Sequence, residues 1–377
     1  MASRRQWHLS VLSAIAGAAL LAACGGGDSG PTTTRVVSFG DSLSDLGTYT
    51  IITSQAVGVA PYFGGRFTTN THSGYAATTT PLSNTATIWV EWVAARVGVP
   101  ITQAMLGYAT TRIPCPEAAN AALAQSCTAY GQGGSRVTVA PSSTAGALAD
   151  PVVAQVAAHL TRFTSFGSGD IVFVFAGGND MLAQVGAVGQ GLAPATAVAN
   201  MQAAGTELAT LVKDQIVAKG ATRVAVINLP DLSNTPGFSG QAAPTKALIT
   251  QMTAAFNTAL TTGLGSANVG LIDANAFFAD IVANPAKYSL ANVTGTACDP
   301  AKMAPAVGGS SLFCNAASAT TLTAAGLPTT INSIRTGASS SSWFFADGIH
   351  PTTGGHKLFS DFVIGKIKEF DWIPANQ

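Results

Sequence analysis

The chain has 377 residues, of which 47% are hydrophobic and 10% charged, far below the roughly one quarter usual in soluble proteins. Lysine plus arginine equals aspartate plus glutamate at 18 each, so the net charge is zero. Such a composition supplies a sizeable core and excludes the basic stripe that nucleic-acid binding requires, so no nucleic-acid partner is expected.

Residues 1–23 read as an address. Arg4 and Arg5 make a positive start, and residues 11–22 are apolar but too few to span a bilayer. The segment closes on Leu21-Ala22-Ala23-Cys24, which resembles the lipobox of bacterial lipoproteins, where the cysteine becomes the lipidated first residue of the mature chain. That resemblance implies a signal peptide over 1–23, lipidation of Cys24 and membrane attachment through the N-terminal anchor. An ordinary secretory signal is the alternative. With no aspartate after Cys24, the expected address is the outer membrane of the cell envelope, and a secreted or periplasmic protein is the other reading. Residues 24–34 read as a flexible tether.

Four further cysteines fall in two local groups, Cys115 with Cys127 and Cys298 with Cys314. Three pairings are open, and proximity favours these two. Each bridge would close a short loop and stabilise the fold by roughly 3 kcal/mol in the chain-entropy model. No Cys-x-x-Cys or Cys/His spacing suits zinc, so structural disulfides of an oxidising compartment are expected, and no metal.

Residues 35–39 form a short apolar run that reads as a first strand, ending in Gly40-Asp41-Ser42-Leu43-Ser44-Asp45. A serine between a glycine and carboxylates, just past a strand's carboxyl end, lies where open α/β sheets gather their chemistry. The same residue types also build plain turns. A polar region over 48–87 contains Arg66-Phe67, and residues 88–97 have helical periodicity ending at Gly98. Residues 100–150 read as irregular and include Tyr130-Gly131-Gln132-Gly133-Gly134-Ser135-Arg136. A helix is predicted from Pro151 to about Phe166, with Asp150 as its cap and proline in its first position. Residues 170–176 read as a buried strand, apolar without interruption after Asp170, as in parallel strands covered on both faces, and lead into Gly177-Gly178-Asn179-Asp180.

The remainder alternates. Helices are predicted over 194–219, 244–264, 276–283 and 355–370, strands over 223–229 and 269–273, and a long loop over 284–342. Trp343-Phe344-Phe345 then leads into Asp347-Gly348-Ile349-His350-Pro351. Strands separated by helices long enough to cross over predict a parallel sheet covered on both faces. No repeat or second linker divides residues 35–377, which are expected to form a single domain.

A serine hydroxyl is a weak nucleophile until a base takes its proton. Of five histidines, His8 leaves with the signal, His72 lies in the polar region, and His159 and His356 fall within helical patterns. His350 stands in a turn three residues after Asp347, close enough for the carboxylate to orient the imidazole and stabilise its charged form. Taken alone, that pair also fits an ordinary surface turn. Glycine backbone and asparagine amide are natural donors to a developing oxyanion. Gly134 and Asn179 each stand in a glycine-rich turn, with plain loop flexibility and a helix cap as their respective alternatives.

Four blocks in this order, Gly40-Asp41-Ser42-Leu43, residues 131–136, Gly177-Gly178-Asn179-Asp180 and Asp347-Gly348-Ile349-His350-Pro351, resemble the SGNH hydrolases, also called the GDSL lipase/esterase family. The phospholipase-like (lecithinase-like) and autotransporter-esterase branches look most similar. The resemblance implies a three-layer α/β/α sandwich around a mainly parallel, flavodoxin-like sheet. It implies Ser42 as nucleophile, His350 as base and then acid, and Asp347 as the group that orients His350. The Ser42 and Gly134 N–H groups and the Asn179 amide would form the oxyanion hole, with Gly133 as the alternative to Gly134. Arg66-Phe67 and Trp89-Val90-Glu91 also resemble family segments, which the family joins closely and this chain separates.

The expected activity is carboxylester hydrolysis through an acyl-enzyme, on a small-molecule or lipid acyl ester, by a monomer without cofactor. Removal of acetyl groups from polysaccharide by the same fold is the alternative, and a non-catalytic surface binding lipoprotein a third reading. No Gly-x-Ser-x-Gly elbow, His-Glu-x-x-His or phosphate loop is present to point elsewhere. Acyl-chain preference would rest with the loops 48–87 and 284–342.

Overall fold

The structure, a computed structural model, describes residues 31–50, 65–71, 84–108, 111–139, 149–303, 308–316 and 332–376. The lipobox-like segment with Cys24, the tether up to residue 30, and His8 and His72 lie outside them.

In chain order the strands are β1 (Arg35–Gly40), β2 (Thr102–Gln103), β3 (Met105–Tyr108), β4 (Thr111–Pro114), β5 (Cys127–Ala129), β6 (Asp170–Phe175), β7 (Val224–Ile227), β8 (Gly270–Ile272), β9 (Asn292–Thr296) and β10 (Trp343–Phe345). The helices are α1 (Trp89–Arg96), α2 (Val152–Phe163), α3 (Gly178–Gly189), α4 (Pro194–Leu211), α5 (Ala243–Leu264), α6 (Ala274–Ala283) and α7 (Thr353–Glu369). Six strands form one sheet in the order β2-β5-β1-β6-β7-β8, every pair parallel. β3 and β4 make a separate antiparallel hairpin, and β9 and β10 a small parallel pair.

Side chains alternate across β6. Val172 and Val174 face a core shared with α2, α4 and α5, whereas Ile171, Phe173 and Phe175 face one shared with α1, α6 and α7. This period of two, carried by residues almost wholly shielded from water, is what a sheet with helices on both faces demands. Each fully buried phenylalanine or valine stabilises the sandwich by about 1.5–3 kcal/mol. The three-layer α/β/α architecture expected from the sequence is therefore the one observed.

Leaving aside β2, the strands run β5-β1-β6-β7-β8, so the winding reverses once, between β1 and β6. At such a switch point the loops after the two central strands part to opposite faces and leave a crevice at their carboxyl ends. Ser42 follows β1 and Asn179 follows β6, so both open onto that crevice.

Several elements differ from expectation. Residues 100–150 carry β2, β5 and the β3–β4 hairpin rather than irregular chain. Helix α3 was not expected. α2 begins one residue late, because Pro151 with ψ of 158° is itself the cap. The Asp150 carboxylate instead pairs with the Arg112 guanidinium at 2.7 and 2.8 Å. The predicted helix over 194–219 is α4 continued by a π-turn (Val212–Ile216) and a 3-10 turn (Val217–Lys219) that ends at Gly220. Residues 31–34, read as the end of the tether, lie on the sheet's lower edge. There the Thr34 N–H donates to Gly169 O at 2.8 Å, and Arg223 reaches the Thr32 carbonyl.

Both expected disulfides are present, Cys115–Cys127 and Cys298–Cys314. The two separated segments also meet. The Arg66 guanidinium grips the Glu91 carboxylate through two hydrogen bonds of 2.5 and 3.0 Å, and Glu91 also accepts the Ile88 N–H. The intervening chain departs and returns through a neck closed by Asn84 Nδ2 to Asn70 Oδ1 (2.7 Å) and the Thr71 and Thr85 hydroxyls (2.7 Å). An insertion closed at its base leaves the segments it separates free to pair. Among the described residues no helix is long and apolar enough to cross a membrane.

Candidate active site

Immediately past β1 the Asp41 carboxylate accepts the Leu43 N–H at 3.1 Å and caps the 3-10 turn Ser42–Ser44. The turn lifts Ser42 off the sheet edge into the crevice, where it is 9% exposed. At the far end of the chain β10 runs into a tight reversal closed by the Ala346 N–H on His350 O at 2.8 Å. Within that reversal Asp347 Oδ1 accepts the N–H groups of Ile349 (3.0 Å) and His350 (2.9 Å). Such a turn is what Asp followed by glycine favours.

These two distant turns bring three side chains into line. His350 Nε2 lies 2.8 Å from Ser42 Oγ, and His350 Nδ1 lies 2.8 and 2.9 Å from the two oxygens of Asp347. A carboxylate only accepts, so Nδ1 carries the proton and Nε2 is left to accept from the serine hydroxyl. Burial alone would raise the Asp347 carboxyl. The neighbouring His350 charge outweighs it, together with hydrogen bonds from His350, Ser311 and Ile349, and holds the group well below the usual carboxylate range. Asp347 is thus ionised throughout the neutral pH range. A hydroxyl, a base and a fixed carboxylate so arranged can carry out proton transfer coupled to nucleophilic attack.

The glycine turn lies against the serine turn, with the Gln132 N–H on Gly40 O at 3.2 Å. Asp45, fully buried, accepts the N–H groups of Gly47 and Thr48 on one oxygen and of Gly133 on the other, the last at 2.8 Å. The Gly133 donor is therefore committed. The Gly134 N–H has no partner among the described residues, and Gly134 takes a φ of +90°, which side-chain-bearing residues rarely adopt. Asn179 reaches across from the first turn of α3, its Nδ2 donating to Ser135 O at 2.9 Å, which leaves its second amide hydrogen unused. Asp180 locks the same junction by accepting from Arg136 Nε and the Val137 N–H, both at 3.0 Å. The Ser42 turn, the glycine turn and Asn179 thus converge on one crevice.

The crevice has an apolar wall of Leu43, Phe175, Leu182, Leu229, Phe278 and Ile349, beside Ser42, Asn179 and His350. Asp41 also borders it. Burial pushes its carboxyl up to about 6, against the opposing pull of the Leu43 N–H and the His350 charge.

Three contributors were given no role at the site by the sequence, although Asp45 and Phe67 stood in segments it singled out. Asp45 supports Gly133, Phe67 packs its ring 5.0 Å from the His350 ring, and the Ser311 N–H donates to Asp347 Oδ2 at 2.7 Å. Asp45 could have been suspected as the second carboxylate of Gly-Asp-Ser-Leu-Ser-Asp. A backbone donor such as Ser311 leaves no trace in residue type. His159 is a core residue stacked 4.4 Å from Phe166, and burial brings it down to about 3.

A family model for GDSL-like Lipase/Acylhydrolase matches residues 36–363, most of the chain and all of the residues that meet in the crevice. No curated protein matches the sequence.

Proposed function

The chain belongs to the GDSL-like lipase/acylhydrolase family, and on that premise we propose that it is a serine carboxylester hydrolase working through Ser42, His350 and Asp347. The observation that carries the reading is the relay itself, with Ser42 Oγ 2.8 Å from His350 Nε2 and His350 Nδ1 2.8 Å from Asp347. Ser42 attacks the ester carbonyl as His350 takes its proton, and Asp347 stabilises the imidazolium that forms. The oxyanion is held by the N–H groups of Ser42 and Gly134 and by the Asn179 amide, each donor contributing about 10²–10³ in turnover. Collapse of the tetrahedral intermediate expels the alcohol, protonated by His350. Water then repeats the sequence on the acyl-enzyme. Gly134 is preferred to Gly133 because Asp45 already occupies the Gly133 donor.

The test is Ser42→Ala. Hydrolysis of nitrophenyl acyl esters is expected to vanish while the melting temperature stays near that of the parent, and retained hydrolysis would refute the assignment.

A second reading, deacetylation of polysaccharide, is favoured by one observation. Among the described residues the centre of a water-sized sphere finds only about 40 Å³ of room in the crevice beside Ser42, a narrowness that suits a short acyl group. Rates on acetyl and octanoyl esters separate the two, a clear octanoyl preference pointing to the lipase-like branch. We further place residues 1–23 as a lipoprotein signal and Cys24 as the lipidated residue, from the Leu21-Ala22-Ala23-Cys24 pattern. On this reading residues 35–377 are one monomeric catalytic domain held at the outer membrane, and a lipid ester would lie within its reach.

A further inference from the structure

Asp347 is held from two directions. Its own turn supplies two N–H groups to Oδ1, whereas Oδ2 receives the Ser311 N–H from the long connection between β9 and β10. That connection is cross-linked by Cys298–Cys314, and the bridge brackets the carboxylate. At one end the Cys298 N–H donates to Ala346 O at 2.9 Å, the residue before Asp347. At the other, Ser311 opens the 3-10 turn Ser311–Phe313 that ends against Cys314, whose own N–H bonds Ser311 O at 3.0 Å. Both half-cystines are buried and pack with Met303 and Ala346 in a small cluster of their own. Asn70 Nδ2 donates to Ser311 O at 3.0 Å, pinning the turn from the opposite side.

We infer that Ser311 is a positioning residue of the hydrolytic site, acting through its backbone N–H, and that the Cys298–Cys314 bridge is the clamp that keeps this donor on Asp347. The inference rests on the proposed Ser42–His350–Asp347 relay. Its physical content is twofold. A carboxylate bonded on one oxygen from its own turn and on the other from outside cannot rotate about its Cβ–Cγ bond, so the imidazole it holds keeps its aim at Ser42. The extra donor also withdraws negative charge from the carboxylate. Removing it makes Asp347 a stronger partner for the imidazolium, so His350 becomes harder to deprotonate and the acid limb of the rate profile moves to higher pH. The other titratable groups facing the imidazole are Asp41, from the turn after β1, and His356, from α7. Neither is touched by a change at 311.

Ser311→Pro deletes the N–H at a helix's first position, where proline's fixed φ is suited. The preceding Ser310, at φ −63° and ψ 133°, already has the extended conformation that a following proline requires. The Ser311 Oγ makes no hydrogen bond of proper geometry, yet its nearness to Asp347 adds to the N–H in holding that carboxyl low, so Ser311→Ala separates the hydroxyl's part from that of the N–H. For Ser311→Pro the expected result is a kcat lower by about tenfold at near-constant KM, since bonds to charged groups are among the stronger ones, with the acid limb of kcat/KM displaced upward. Ser311→Ala, the conservative variant that keeps the N–H, restores the limb. Cys298→Ala with Cys314→Ala should move it in the same direction as the proline. Cys115→Ala with Cys127→Ala should lower only the melting temperature. All rates are referred to the fraction of enzyme labelled by a fluorophosphonate. Should Ser311→Pro fold poorly, the cysteine pair decides. An acid limb and kcat unmoved in a folded Ser311→Pro, or a cysteine pair that loses stability alone, would overturn the inference. The relay stands or falls separately, on Ser42→Ala.

Discussion

A methyl group on Gly133 would strike the wall that holds the imidazole. A Cβ built there lies 2.2 Å from Phe67 Cζ, 2.3 Å from Phe67 Cε2 and 3.1 Å from Tyr49 Cε2. Carbon atoms rest about 3.5–4.0 Å apart, so the Phe67 ring must yield by more than about 1 Å. It has two ways to go. It can slide onto the His350 ring, now 5.0 Å away, or swing outward and leave the imidazole without its apolar wall. Tyr49 blocks easy relief, because its ring meets Phe67 edge-on at 6.2 Å and its hydroxyl donates to Gly133 O. Overpacking of this kind costs about 1–3 kcal/mol of stability. Misplacing a catalytic group by about 1 Å costs on the order of 10² in rate. Gly133→Ala is therefore expected to lower kcat by about 30- to 100-fold with a modest fall in melting temperature, measured by ester hydrolysis against fluorophosphonate-titrated sites. Adding Phe67→Ala to the same chain removes the obstruction and should return part of the loss. A Gly133→Ala enzyme within about twofold of the parent, or a double variant no faster than the single one, would refute this account of how the imidazole is aimed.

Two further outcomes follow from the charges and donors of the crevice. Burial raises Asp41 from 3.8 to about 6, so this group's contribution to stability is full below pH 3.8 and is lost as pH rises through about 6. Asp41→Asn keeps an acceptor for the Leu43 N–H without a charge, so unfolding free energy at about pH 8 should rise by up to about 3 kcal/mol relative to the parent and barely change at about pH 3.5. An equal gain at both would sink the reading. Asn179→Ala should cost about 10²–10³ in kcat with KM little altered, and an unchanged kcat would remove the amide from the oxyanion hole.

What was legible in the sequence follows what was locally encoded. β6 announced itself because all six of its residues are buried and the five after Asp170 are apolar, as a strand covered by helices on both faces requires, rather than apolar at alternate positions. The Asp347–His350 turn could be read because both residues lie in one pentapeptide. α3 was not legible: Gly178, Gly186 and Gly189 depress its intrinsic propensity, and its helical form is secured by packing of Met181 against α4 and α5. β5, three residues long, is a strand because β1 and β2 pair with it on either side. That the Gly133 N–H is already taken depends on Asp45, a carboxylate more than eighty positions away, which no local pattern carries. Arg66 and Glu91 are the converse case. The separation that obscured their relation along the chain is bypassed by a neck of Asn70, Thr71, Asn84 and Thr85, and their ion pair survives it.

On the proposed mechanism two carboxyl groups flank one imidazole, and their surroundings assign them opposite tasks. Asp347 accepts the N–H groups of Ser311, Ile349 and His350, and the His350 charge together with its hydrogen bonds outweighs its burial and keeps it ionised. Asp41 is adjacent to the nucleophile in sequence and would be the natural first guess for the orienting group. Its carboxylate, however, is turned to the Leu43 N–H and toward Gly178, and it shares the region with buried Asp180, whose charge adds to its elevation. A carboxyl that takes up a proton near pH 6 would lose its charge, and with it its hold on the imidazole, just below neutral pH. The group that can serve as orienter is the one whose donors keep it charged there. Those donors come from both sides of the Cys298–Cys314 bridge, which is why a cross-link that touches neither Ser42 nor His350 bears on the chemistry between them.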